Sequence, residues 1–139
     1  MSETNKRIAR QFIEALGKSD AAALKTLVTQ DIEAIATGTS IGSGSRGYAQ
    51  IVAAFEMFGK ATRSGLNPKF LTITAEDDRV AIEWEGECTL VNGVPYNNQY
   101  CTMFFLRDGK IYKLKEYFDT KLTDATLGPL MAGATVPQK

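Results

Sequence analysis

Apolar and polar residues alternate most regularly between Arg79 and Thr120, RVAIEWEGECTLVNGVPYNNQYCTMFFLRDGKIYKLKEYFDT. A period of two sustained over this length predicts three long strands. The alternation breaks only at Val91-Asn92-Gly93 and Arg107-Asp108-Gly109. Each break ends in glycine and fits a three-residue hairpin loop, although Asn-Gly and Asp-Gly also make two-residue turns. With three-residue loops, Trp84 lies opposite Tyr100 and Tyr100 opposite Glu116. The neighbouring rows are then Ile82, Thr102, Leu114 and Gly86, Asn98, Phe118, and the same face carries Val80, Cys88, Leu90, Phe104 and Tyr112. Glu83, Glu85, Glu87, Gln99, Cys101, Lys113 and Lys115 fall on the other face, a solvated and charge-balanced surface. A two-residue turn in the first hairpin would instead bring Glu83 and Glu85 onto the face of Tyr100 and Glu116, because a one-residue slip exchanges the two faces.

Helical periodicity precedes this region. Thr4 to Leu16 carries Ile8, Phe12, Ala15 and Leu16 on one stripe, with Gly17 as its stop. Ser19 or Asp20 is placed to cap a short helix from Ala21 to Val28. Asp31 to Thr37 reads as a strand. The glycine- and serine-rich run Gly38 to Gly47, GTSIGSGSRG, reads as a loop, with Ser45 as a cap for the helix that follows. That helix, Tyr48 to Lys60, turns Ile51, Val52, Phe55 and Phe58 inward. Lys69 to Ala75 reads as another strand, turned at Glu76-Asp77-Asp78. Beyond Thr120 the pattern is weak, with Leu127, Leu130 and Met131 able to fold over something apolar. Two helices, a strand, a third helix and four antiparallel strands make an α+β layer fold: a strongly curved sheet packed on three N-terminal helices. Three helices do not fill a cupped sheet, so a pocket between the layers is expected.

Length and composition narrow the chemistry. The 139 residues suit a single domain spanning 1–139. Sixteen basic and sixteen acidic residues cancel, leaving no electrostatic footprint for nucleic acid or an anionic membrane. MSETNKRIAR lacks the apolar core of a secretory signal, and two free thiols, Cys88 and Cys101, on opposite faces suit a reducing compartment, so a cytoplasmic protein is expected. The chain has no histidine, which removes histidine-based triads and the usual zinc-enzyme sites; acid–base work at neutral pH falls to a perturbed carboxylate, Tyr, Lys or Cys. Neither the acidic turn at Glu76-Asp77-Asp78 nor the glycine-rich loop, which lacks the lysine and spacing of a P-loop, is expected to hold a metal or a phosphate.

The element order, from FIEALGKSDAAALKTLVTQDI to the closing DGKIYKLKEYFDT, resembles the SnoaL-like group of the nuclear transport factor 2-like superfamily. That resemblance implies a cone-shaped α+β fold enclosing a pocket, no cofactor, and a homodimer with contacts on the outer sheet face around Met103 and Phe105. Its members divide on their residues. Limonene epoxide hydrolase ends its last strand with an acid before Tyr-Phe, the place Glu116 takes here, but its Arg and second Asp correspond to Glu83-Trp84-Glu85, with no arginine. Ketosteroid isomerase places a Tyr and two acids near Phe12, Ala36 and Thr102, none of which performs those roles. Scytalone dehydratase relies on histidines. The catalytic Asp of the polyketide cyclases matches either Glu116 or Asp119.

Glu116 is the sharpest candidate, since its alternation partners Tyr112, Leu114 and Phe118 belong to a face meant for burial, and burial makes a carboxylate usable near neutrality. The alternative is a structural Glu bonded to Tyr100 or a helix end. Tyr100 is the candidate donor to a substrate oxygen or proton relay. Trp84, Asn98, Thr102, Leu114, Phe118 and Phe55 are the expected pocket and substrate-binding residues. Three functions fit: a cofactor-independent acid–base enzyme of isomerase, cyclase, dehydratase or lyase type acting on an apolar cyclic or aromatic molecule, a non-catalytic binding protein with the same pocket, or an assembly module whose outer sheet face mediates oligomerisation and whose cavity is filled by Trp84, Tyr100 and Phe118.

Overall fold

The computed structural model describes residues 2–135, with side-chain surroundings as far as Met131; Met1 and residues 136–139, part of the expected single domain, lie outside the described residues. The chain forms α1 (Ser2–Lys18), α2 (Ala21–Leu27), β1 (Val28–Ala36), β2 (Gly44–Arg46), α3 (Tyr48–Ala61), β3 (Pro68–Glu76), β4 (Arg79–Gly86), β5 (Gln99–Arg107), β6 (Lys110–Phe118) and α4 (Thr120–Thr135). Among the described residues no helix is long and apolar enough to cross a membrane.

Local chemistry sets the helix ends. Asp20 caps α2 by accepting the Ala23 N–H at 3.0 Å, satisfying one of the donors a helix start leaves free. Ser45 does not cap α3. It lies on β2, paired with Ile35, and donates to Glu33. The α3 start is closed instead by Gln50 Oε1, which accepts the Gly47 N–H at 2.8 Å.

The six strands form one open, mixed sheet in the order β2-β1-β6-β5-β4-β3, antiparallel except for the parallel pair β1 and β6. Register shifts interrupt three ladders, β1–β6, β3–β4 and β5–β6. Each extra residue bends its strand, which curves the sheet around the helices. Phe12 of α1 ties the layers together, edge-on to Phe55 of α3 and to Phe104 of β5 with both centroid separations 5.5 Å. Around it Ile13, Leu24, Ile51, Val80, Ile82, Trp84, Leu106 and Ile111 are buried. This is the expected α+β cone.

The two hairpins differ. At the first, the Leu90 N–H bonds to the Val94 carbonyl around Val91-Asn92-Gly93, with Gly93 at φ +88°, a region that favours glycine. Trp84 therefore faces Tyr100, Ile82 faces Thr102, and the Glu83 and Glu85 backbones pair with Cys101 and Gln99 on the outer face. At the second, the turn has two residues, Asp108 and Gly109, both with positive φ (52° and 76°), the signature of a type I′ turn. Lys110 then pairs with Arg107, and Tyr112 is an extra residue between the Leu106–Ile111 and Phe105–Lys113 pairs. The bulge has two consequences. Ile111, not Tyr112, is buried, while Tyr112 packs on Phe105 and Arg107 outside. The expected Tyr100–Glu116 pair is replaced by Tyr100–Phe118 and Thr102–Glu116, and Leu114 faces Phe104. The slide is by two residues, so Leu114, Glu116 and Phe118 keep the inner face.

The segment beyond Thr120 is helical. Asp119 Oδ1 accepts the Leu122 N–H at 3.1 Å, and the helix runs through Gly128-Pro129, the pair that obscures it in the sequence.

Candidate active site

A cavity of about 370 Å³ lies between the concave face of the sheet and helices α1, α3 and α4. Phe12, Leu16, Ile51, Phe55, Phe58, Leu66, Leu114, Phe118 and Leu127 give it an apolar wall, and among the described residues Arg46 and Glu116 are the two charged ones lining it. Its rim carries exposed Ile41 and Met131. The glycine-rich loop that supplies Ile41 is hydrogen-bonded throughout. Ser43 Oγ donates to the Thr37 carbonyl at 2.8 Å, and the Ile41 N–H donates to Asp124 of α4 at 2.9 Å. One side of the mouth is thereby fastened to the other.

Glu116 is held from behind. Its backbone carbonyl accepts both the N–H and the hydroxyl of Thr37 at 3.0 Å, and its partner across β1 is Ala36. Among the described residues no hydrogen bond reaches its carboxylate, neither from Tyr100 nor from a helix end. Burial raises its pKa from the ordinary 4.5 to about 7, with Arg46 opposing the rise. Tyr100, also on the lining, is pushed well above the usual phenol range by burial and by the neighbouring Tyr96 and Glu116. It therefore keeps its proton. Its ring stacks on Trp84 at 4.0 Å and 13°.

Of the expected pocket residues, Phe55, Leu114 and Phe118 line the cavity with Glu116 and Tyr100, whereas Trp84, Asn98 and Thr102 do not. Trp84 is fully buried behind Tyr100, and its indole N–H donates to Thr102 Oγ1 at 3.1 Å, so the two satisfy one another. Asn98 is buried with its amide fully engaged. It donates to Tyr96 and Thr123 and to the Asp119 carbonyl, and it accepts from the N–H groups of Gln99 and Asp119. It pins the first hairpin to the start of α4 and has nothing left to orient a substrate. The notional ketosteroid-isomerase positions Phe12 and Ala36 are on the cavity wall but apolar. Tyr48 is not on the lining, and Arg63 belongs to a separate surface groove with Arg10 and Lys18.

Arg46, Gln50, Tyr96 and Thr123 also line the cavity. Sequence reasoning passed over them because Arg46 sits in a run that reads as loop and because Thr123 depends on an unforeseen helix. Arg46 carried the one available signal, a lone cation in an otherwise uncharged glycine–serine segment.

A curved sheet closed by helices over an apolar cavity is the NTF2-like fold. Solved structures with this fold include an NTF2-like protein from Burkholderia xenovorans (20% identity over 90% of this chain and 96% of that one, TM-score 0.73). Others are PrhC from Penicillium brasilianum (18%, 96% and 91%, 0.80) and an LEH-like epoxide hydrolase from M. tuberculosis (19%, 98% and 98%, 0.71). At these identities the likeness is one of fold. Residues 9–114 match the SnoaL-like domain model, and the chain belongs to the SnoaL-like family. No curated protein matches it in sequence.

Proposed function

We propose that this protein is an acid–base enzyme, of isomerase, cyclase, dehydratase or lyase type, acting on an apolar cyclic or aromatic small molecule. One observation carries the reading: Glu116 places a carboxyl with a pKa of about 7 and no hydrogen-bond partner among the described residues on the wall of an apolar cavity. Such a group takes and returns a proton with little driving-force penalty at neutral pH. In this mechanism Glu116 removes a proton from a carbon beside a substrate carbonyl. The Tyr100 hydroxyl, protonated because its pKa is raised, donates to the oxygen on which charge develops. Trp84 and Thr102 serve as the buried backing that fixes the Tyr100 ring. Asn98 has no part in substrate binding. From the family likeness we also infer a pair of chains meeting on the outer sheet face, where Met103 and Phe105 are half-buried and Leu71 and Tyr117 exposed.

A thermal-shift screen of aromatic, terpenoid and polyketide-like carbonyl compounds tests the reading, with each hit followed by mass spectrometry in wild type and Glu116→Gln. A hit converted by wild type and turned over ~10²–10⁴-fold more slowly by the variant supports it. Hits that stabilise both proteins and remain unchanged make the protein a binding module instead.

A further inference from the structure

We propose that the ligand of this cavity is an apolar carboxylic acid whose carboxylate is held by Arg46, so that its apolar body lies over Ala34 and Ala36 and reaches Glu116. The proposal deepens the acid–base reading of the same pocket, and its test stands apart from the test of that reading.

Arg46 ends the edge strand β2, is half-buried and faces the cavity. The ion pairs among the described residues involve Lys6, Arg10, Arg79 and Arg107. Arg46 has no such pair and no side-chain hydrogen bond there, although its guanidinium is always charged and offers a fork of donors. Half-buried against an apolar wall, this guanidinium gives up part of its hydration, and an anion that meets it replaces what is lost. Glu116 forms no ion pair with Arg46 among the described residues, and with its pKa raised to about 7 it carries only part of a charge at neutral pH even though Arg46 opposes the rise.

Strand register separates the two groups. Arg46 pairs with Ala34, which pairs with Leu114; Gly44 pairs with Ala36, which pairs with Glu116. Arg46 and Glu116 thus stand two strand spacings apart, roughly 10 Å at the backbone, and one inward-facing row out of step. The floor between them is two alanine side chains, which leave open the space that bulkier residues would fill. A molecule lying there meets a cation at one end and a proton-carrying carboxyl at the other. A single planar guanidinium matches a planar monoanion in bidentate fashion.

Binding of 2-naphthoate and its amide, 2-naphthamide, together with a set of other aryl and cyclic carboxylates each paired with its amide, tests the assignment. Titration calorimetry at about pH 6, below the Glu116 titration, is run on wild type, Arg46→Gln, Arg46→Lys and Glu116→Gln. Wild type is expected to bind acids roughly ten-fold or more tighter than the matched amides. Arg46→Gln should abolish that preference while leaving amide affinity in place, and Arg46→Lys should restore part of it. Equal affinity for acid and amide in wild type, a preference that survives Arg46→Gln, or no binding by any acid overturns the proposal. The wild-type comparison decides even where a variant does not fold. Glu116→Gln should keep the acid preference; loss of turnover in that variant bears on the acid–base reading alone.

Discussion

A carboxyl moved from water to an apolar wall gives up solvation that its charged form needs more than its neutral form. For Glu116 this raises the pKa to about 7, although Arg46 pulls the other way. The folded protein then holds a proton that the unfolded chain releases near 4.5. Stability therefore falls as pH rises from about 4.5 to about 7 and is level above that, a loss of at most about 3 kcal/mol. Glu116→Gln carries no such proton, so its unfolding free energy should lack this component and exceed that of wild type at pH 8. Urea denaturation of both proteins across this range checks it. The same group predicts a rate profile: kcat/KM for a converted substrate should rise with pH through about 7, as required of a base that must first lose its proton. Glu116 was legible because Leu114 and Phe118 flank it on an inward face. Asn98 shares that face, yet its amide is bonded within the protein; alternation reports which way a side chain points and not what its amide is bonded to.

Among the elements, the second hairpin separates what periodicity determines from what turn chemistry decides. Two positive-φ residues and one bulge shift the pairs by two, an even number, so the inward face of β6 beyond the bulge survived while the partners changed. Tyr112, the bulge residue, and Ile111, on its hairpin side, exchanged faces. Gly109→Ala should cost about 1 kcal/mol, because alanine is strained at φ +76° and its side chain would meet nothing. The helix α4 was illegible because Gly128-Pro129 argues against helix and its apolar residues are weakly patterned. Its anchoring depends on Asn98, which joins Tyr96, Asp119 and Thr123. Asn98→Ala should destabilise by roughly 1–3 kcal/mol through unsatisfied buried groups, measured as a lower urea midpoint with unchanged slope.

For the whole molecule, three bulged ladders cup the sheet, three N-terminal helices fill most of the cup, and α4 with the 38–47 loop forms the rim. Element order and family likeness made the cone readable in the sequence. The cavity's size and the charge at its edge were not, since they depend on β2, a three-residue strand inside a segment that reads as loop. If the space over Ala34 and Ala36 is the ligand site, Ala36→Leu should fill it. Ligand affinity should fall at least ten-fold with little change in melting temperature, because a methylene cluster in an existing void relieves a packing deficit. Melts and titrations of the variant check both halves.

The proposed chemistry requires Glu116 to carry a proton at neutral pH, and that is measurable without a substrate. In a ¹³C NMR titration of the glutamate side-chain carboxyls of wild type, the resonance missing from Glu116→Gln is predicted to titrate at about 7. A midpoint near the ordinary 4.5 would make Glu116 a solvated carboxylate and contradict the account.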